Sequence, residues 1–111
     1  MFGFGRRAPV KTLSPLEAKA AADEGAVQLV DVREAGEWRQ ARIPGAIHAP
    51  LSAFREVAHS LPADRPLVFY CLSGARSAQA VALATALGLP HDTHMAGGIS
   101  AWQVHGLPID R

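Results

Sequence analysis

Cys71 is the only cysteine in a chain of 111 residues, and the residues around it suit a reactive thiol. It opens the run Cys71-Leu72-Ser73-Gly74-Ala75-Arg76-Ser77, which follows four apolar, mostly β-favouring residues, Leu67 to Tyr70. A helix pattern begins near Ser77. The cysteine is therefore expected at the carboxyl end of a parallel strand, where open α/β sheets place their ligands. The loop residues are small, and Gly74 admits backbone angles that other residues resist. Such a loop turns several N–H groups inward beside the positive end of a helix. The result is an anion-binding nest, with Arg76 as an added positive charge. That setting favours a thiolate: a free cysteine with a pKa of about 8.5 is a few per cent ionised at pH 7, while one lowered to about 7 is half ionised. A lone cysteine is often just a small buried hydrophobe. Between a strand end and a Gly/Arg loop entering a helix, the nucleophile is the better reading.

The elements that must position this loop are legible in outline. Leu13-Ser14-Pro15-Leu16-Glu17 reads as a helix start, with Ser14 as N-cap, Pro15 first and Glu17 three residues after the cap. Gly25 closes that helix, and Val27 to Asp31 reads as a buried strand. A short polar helix over Ala35 to Gln40 is broken by Ile43-Pro44-Gly45, with a short strand over Ala46 to His48. Leu51 to Ser60 has apolar residues at helical spacing, and Leu67 to Tyr70 is the clearest strand. Ser77 to Leu87 is the clearest helix, with Ala80, Leu83, Ala84 and Leu87 on one face and Gly88 and Pro90 as its stop. Thr93 to Met95 predicts a last strand, and Ile99 to about His105 a last helix. Strands alternating with helices predict an α/β fold, a mainly parallel sheet covered on both faces.

Other residues of catalytic type read better as structure. Asp31 and Arg33 stand near a strand end and are expected to form an ion pair or loop anchor. Gly97-Gly98 lacks the fingerprint of a nucleotide site and reads as a tight turn. Trp102 is expected in the core and Trp38, on a polar stretch, half exposed. His91 and His94 have no further ligand within sequence reach, so no metal is expected. His48 and His59 carry no signal.

Composition narrows the class. An apolar share of 49% is ordinary for a globular domain, and 111 residues fit one core, expected over 11–109 with 1–10 as an N-terminal tail. The formal charge of +1 comes without a basic run interleaved with aromatics, which argues against nucleic acid. Arg6, Arg7 and Lys11 read as a solvated basic cluster. No apolar run approaches the roughly 20 residues of a membrane span. The start, MFGFGRRAPVKTLSP, lacks the pattern of a secretory signal. A reducing, cytoplasmic setting is the expectation.

Four stretches resemble the rhodanese-homology family, in the family's order. The Cys71 loop resembles its active-site loop: a cysteine, four residues, a basic residue and a serine. Leu29-Val30-Asp31-Val32-Arg33-Glu34 with Glu37-Trp38 resembles its "DVRE…E" segment. Arg42-Ile43-Pro44-Gly45-Ala46-Ile47 resembles "HIPGAI", with Arg42 where histidine is commoner. Met95-Ala96-Gly97-Gly98-Ile99 through Ala101-Trp102 and Gly106-Leu107-Pro108 resembles "GG…AW…GLP".

The resemblance implies a three-layer α/β/α sandwich and a single-domain thiosulfate sulfurtransferase that needs no cofactor or metal. Cys71 would take sulfur from thiosulfate or a related donor as a persulfide, and pass it to cyanide, a thiol or an acceptor protein. The backbone of Leu72, Ser73, Gly74, Ala75 and Arg76 would hold the charged sulfur. Arg76 would bind the anionic donor, with Ser73 and Ser77 as hydrogen-bond donors. Two other classes stay open. One is a persulfide carrier or redox-responsive interaction module, with the same loop. The other is a cysteine-dependent phosphatase or arsenate reductase, whose loops place five residues between cysteine and arginine, where this loop has four.

Overall fold

Each β-favouring run of the sequence finds a parallel neighbour. In the computed structural model, which describes residues 10–111, five strands form one parallel sheet. They are β1 (Lys11–Leu13), β2 (Gln28–Asp31), β3 (Ile47–His48), β4 (Leu67–Tyr70) and β5 (Thr93–Met95), in the order β1-β5-β4-β2-β3. The helices are α1 (Pro15–Asp23), α2 (Ala35–Gln40), α3 (Phe54–Val57), α4 (Ala75–Ala86) and α5 (Gly98–Val104). Central β4 is buried at all four residues, as a parallel strand covered on both faces should be.

Side chains alternate between the faces of a strand, and that period divides the core in two. Leu67, Phe69 and Cys71 join Val30 and Val32 in one core, against Phe54 of α3, Ala58 just after it, and Ala80, Val81 and Ala84 of α4. Val68 and Tyr70 join Leu29 and Met95 in the other, against Ala18 of α1 and Ile99 and Trp102 of α5. The result is the expected α/β/α sandwich. Trp102 is buried in the second core and Trp38 is half-buried, as the sequence predicted.

Helix α1 starts on a reciprocal cap. The Glu17 N–H donates to Ser14 Oγ at 3.1 Å, and the Ser14 N–H donates to Glu17 Oε1 at 2.8 Å. Such a cap contributes about 1 kcal/mol. Among the described residues, no helix is long and apolar enough to cross a membrane.

Three expectations need correction. The Leu51 to Ser60 helix is a 3₁₀ turn (Leu51–Ala53), one α turn (Phe54–Val57) and a second 3₁₀ turn (Ala58–Ser60). Its first donors are engaged elsewhere, Leu51 N–H with the Val32 carbonyl and Ser52 N–H with Glu34 Oε2, which ties the segment to the exit of β2. Lys11 stands in edge strand β1, and its Nζ lies 3.4 Å from Asp92 Oδ2; Arg6 and Arg7 lie outside the described residues. Helix α4 begins at Ala75 rather than Ser77, because Gly74 caps it at a φ of +123°.

Candidate active site

The strand β4 delivers Cys71 to the carboxyl edge of the sheet, and α4 begins four residues later. Between them the chain wraps around the sulfur. The Gly74 N–H donates to Cys71 Sγ at 3.0 Å, and a Cys71 thiol donates to Ser77 Oγ at 3.6 Å. The loop's carbonyls turn the other way. Those of Cys71 and Leu72 accept the N–H groups of Ile99 (2.9 Å) and Ser100 (3.1 Å) at the start of α5. This docking requires Gly98. A Cβ there would lie 2.4 Å from both carbonyl oxygens, and its φ of +60° is one that other residues resist. The Gly97-Gly98 pair is thus a turn, as expected, and also the floor of the cysteine loop.

Cys71 is 1% exposed. Burial alone raises a thiol pKa. Here the Ser77 hydroxyl and the N–H groups of Ser77, Gly74 and Ser73 outweigh it, and the pKa falls below the ordinary thiol value. A buried cysteine whose donors favour its ionised form differs from an inert core residue.

The other candidate residues are disposed as follows. Leu72, Ser73 and Ala75 are exposed on the rim, Gly74 is half-buried, and Ser77 is fully buried. Arg76 stands on the first turn of α4, but its guanidinium is not free. Nη1 and Nη2 donate to Glu37 Oε1 and Oε2 of α2, at 2.7 and 2.9 Å. Each side chain is about a third exposed, at 31% and 33%. The Arg76 guanidinium holds the Glu37 carboxyl at a pKa of about 2, so the pair is charged at neutral pH. Glu37 Oε1 also accepts the Glu34 N–H at 3.1 Å, and Glu34 in turn accepts the Ser52 hydroxyl at 2.5 Å.

Asp31 and Arg33 form the structural ion pair expected of them. The Asp31 carboxylate, 0% exposed, accepts the Arg33 backbone N–H, Nε and Nη2 at 2.8 to 3.1 Å. Arg33 Nη2 also donates to the Ala41 carbonyl, and its guanidinium lies 5.9 Å from the centre of the Tyr70 ring. Desolvation drives the Tyr70 hydroxyl far above its usual pKa, with Asp31 pushing the same way, so it stays neutral and accepts the Ile43 N–H at 3.2 Å. His48 contacts the Arg33 carbonyl through Nε2 at 2.8 Å and stacks on Trp38 at 4.7 Å. None of these groups contacts Cys71 Sγ.

Two residues of the site escaped the sequence reading. Glu37 was visible only as part of a motif, not as the partner of Arg76. His94 of β5 places Nδ1 2.8 Å from Ser77 Oγ, one residue away from the sulfur. The register Phe69↔His94 puts His94 on the α4 face, and no local pattern reveals that pairing. The other flagged histidine, His91, packs edge-on against Phe69. Among the described residues, no three histidine, cysteine or carboxylate side chains could hold a metal. A cavity of about 660 Å³ lies at the opposite, amino end of the strands, against Lys11, Arg65, Asp92 and Thr93.

Comparison with known proteins agrees with this fold. The family model for the rhodanese-like domain matches residues 14–105. A sulfurtransferase of Allochromatium vinosum is 43% identical over 88 residues, covering 79% of this chain and 82% of that protein. The probable adenylyltransferase/sulfurtransferase MoeZ of Mycobacterium tuberculosis is 39% identical over 82% of this chain, which spans only 24% of MoeZ. The crystal structure of a rhodanese-related protein from Thermoplasma volcanium superposes with a TM-score of 0.81, at 30% identity, over 90% of this chain and 97% of that one.

Proposed function

This chain belongs to the rhodanese-like domain family, and from that premise we propose that it is a sulfurtransferase that carries sulfane sulfur as a persulfide on Cys71. The observation that carries the reading is the 3.0 Å contact from the Gly74 N–H to Cys71 Sγ, inside a loop whose carbonyls are tied back by α5. Donors already aimed at an anionic sulfur need no reorganisation when charge develops there.

The reaction runs in two displacements. The Cys71 thiolate attacks the outer sulfur of thiosulfate. A new S–S bond forms, the S–S bond of thiosulfate breaks, and its electron pair leaves with sulfite. Cys71 then holds a terminal sulfur anion within reach of the N–H groups of Leu72 to Arg76. Cyanide or a thiolate attacks that outer sulfur, and the bonding pair returns to Cys71 as thiolate. Arg76, with Ser73 on the rim, meets the anionic donor. Ser77 supports the sulfur from inside. A reducing, cytoplasmic setting keeps the lone thiol available.

Leu72, 45% exposed beside the reactive sulfur, favours a protein acceptor as the second reading. Intact mass tests the common core: thiosulfate adds one sulfur, about 32 Da, to the native protein, and cyanide removes it. No gain in Cys71→Ser is expected; an equal gain there overturns the assignment. Steady turnover with thiosulfate and cyanide marks the enzyme, and a single loading followed by a stall marks the carrier.

A further inference from the structure

We propose that His94 is a positioning residue for Cys71, acting through Ser77: its Nδ1–H donates to Ser77 Oγ, which frees the serine proton for the ionised sulfur. The inference rests on the sulfur-transfer reading for its consequence in turnover, while its geometry stands independently.

The Ser77 hydroxyl is buried among three neighbours. Cys71 Sγ lies 3.6 Å away, the Gly74 carbonyl 3.1 Å and His94 Nδ1 2.8 Å. A serine has one proton to give and two lone pairs to receive with. When Cys71 is a thiol, its S–H donates to Oγ, and the hydroxyl proton can serve the carbonyl or the imidazole. Ionisation releases the thiol proton to water and turns the sulfur into an acceptor. An unprotonated Nδ1 would then leave three acceptors around one proton, with the imidazole closest. A protonated Nδ1 becomes a donor to Oγ instead. Only the carbonyl then competes with the sulfur, and the hydrogen bond to the charged atom is the stronger.

The fold holds His94 for this task. Its register opposite Phe69 in β4 and Thr12 in β1 places it on the α4 face. Burial keeps its pKa below the usual value, so it is neutral at pH 7 and carries one ring proton. The titratable and charged groups of the neighbouring elements are engaged elsewhere, and His91, just before β5, packs edge-on against Phe69. Arg76 of α4 is held by Glu37 of α2, with Glu34 beside it, and Lys11 of β1 is held by Asp92. Tyr70, the titratable side chain of β4, lies in the other core, where its hydroxyl accepts the Ile43 N–H. Asp31 and Arg33, at the end of β2, are paired with each other. His94 is thus the titratable side chain that reaches the sulfur's serine.

The test is the pH profile of Cys71 alkylation by iodoacetamide, which reports the thiolate whether or not sulfur is transferred. In His94→Leu the Cys71 pKa should rise and alkylation at pH 7 should slow about three- to tenfold, the effect of one hydrogen bond. His94→Asn, whose amide N–H can take the place of Nδ1–H, should restore the profile to within about twofold. In a Ser77→Ala background, His94→Leu should add nothing. An unchanged profile in His94→Leu overturns the proposal, and so does a full effect without Ser77. A second readout needs no variant: ¹⁵N shifts of the native thiolate form should show the Nδ1–H tautomer, and an Nε2–H tautomer refutes it. Loss of the thiosulfate mass gain with the alkylation shift intact would keep His94 in its role and defeat the sulfur-transfer reading alone.

Discussion

Arg76 and Glu37 stand 39 residues apart in sequence, yet the guanidinium of one closes on both oxygens of the other at 2.7 and 2.9 Å. The cation expected to meet the sulfur donor is therefore half of a neutral pair. It offers an oriented, partly compensated charge at the mouth of the cysteine loop.

Removing either partner should act in opposite directions on an anionic donor. Arg76→Ala is expected to raise the thiosulfate KM about tenfold, the low end for loss of a charge-assisted contact, with the circular dichroism unchanged. Glu37→Gln should lower it severalfold. An unchanged KM in Arg76→Ala would mean that the backbone nest alone holds the donor.

The same pair predicts a pH response. Glu37 ionises near 2 in the folded chain against 4.5 ordinarily, so its contribution is complete above 4.5 and is lost as pH falls through about 2. Because both side chains are partly exposed, the contribution is about 1 kcal/mol or less. The native protein should melt a few degrees above Glu37→Gln at neutral pH, with the gap closing toward pH 2.

Gly98 and Gly88 separate the loop's support from general stability. Gly98→Ala would drive a methyl into the carbonyls of Cys71 and Leu72, so sulfur transfer by the folded protein should fall about a hundredfold. At Gly88, with a φ of +77° and open space around it, alanine should cost about 1 kcal/mol and leave specific activity unchanged. Comparable activity losses in the two variants would contradict the assigned docking of α5.

Asp31→Ala removes the carboxylate that receives three N–H groups of Arg33. Breaking a buried pair from one side costs about 3–5 kcal/mol, so the melting temperature should drop by roughly 15 °C or more. The fraction that stays folded should retain its specific activity. Collapse of activity with stability intact would make the pair catalytic.

Loop length is the fourth lever. Inserting one glycine after Gly74 widens the ring of N–H groups and should lower sulfur transfer at least about tenfold, because such donors work only within about 2.7–3.1 Å of the charge. The native protein should not hydrolyse an activated aryl phosphate. Robust hydrolysis that disappears in Cys71→Ser would favour the phosphatase class instead.

The readable parts of this molecule are those whose physics is local. Ser14-Pro15-Glu17 writes a cap within four residues, and Leu67 to Gly74 writes strand and glycine turn in one run, although the helix that follows starts two residues before the Ser77 expected for it. What stayed hidden depends on register. A one-residue slip between β4 and β5 would carry His94 to the face of Trp102, and nothing within Thr93 to Met95 forbids it. Strand β1 is three residues long and exists through its pairing with β5. Gly98 was recognised as a turn, but its contact with the cysteine loop joins segments that only the fold brings together.

The docking of α5 under the loop also bears on how such a site can diversify. The groups that grip the sulfur are main-chain N–H groups and one buried serine, and the carbonyls behind them are anchored by main chain as well. The side chains of Leu72, Ser73 and Ala75 point to the rim and carry none of that framework. Exchange of those three residues, the Ser73 contact with the donor included, can therefore change which donors and clients the site meets, while the hold on the sulfur atom is inherited intact.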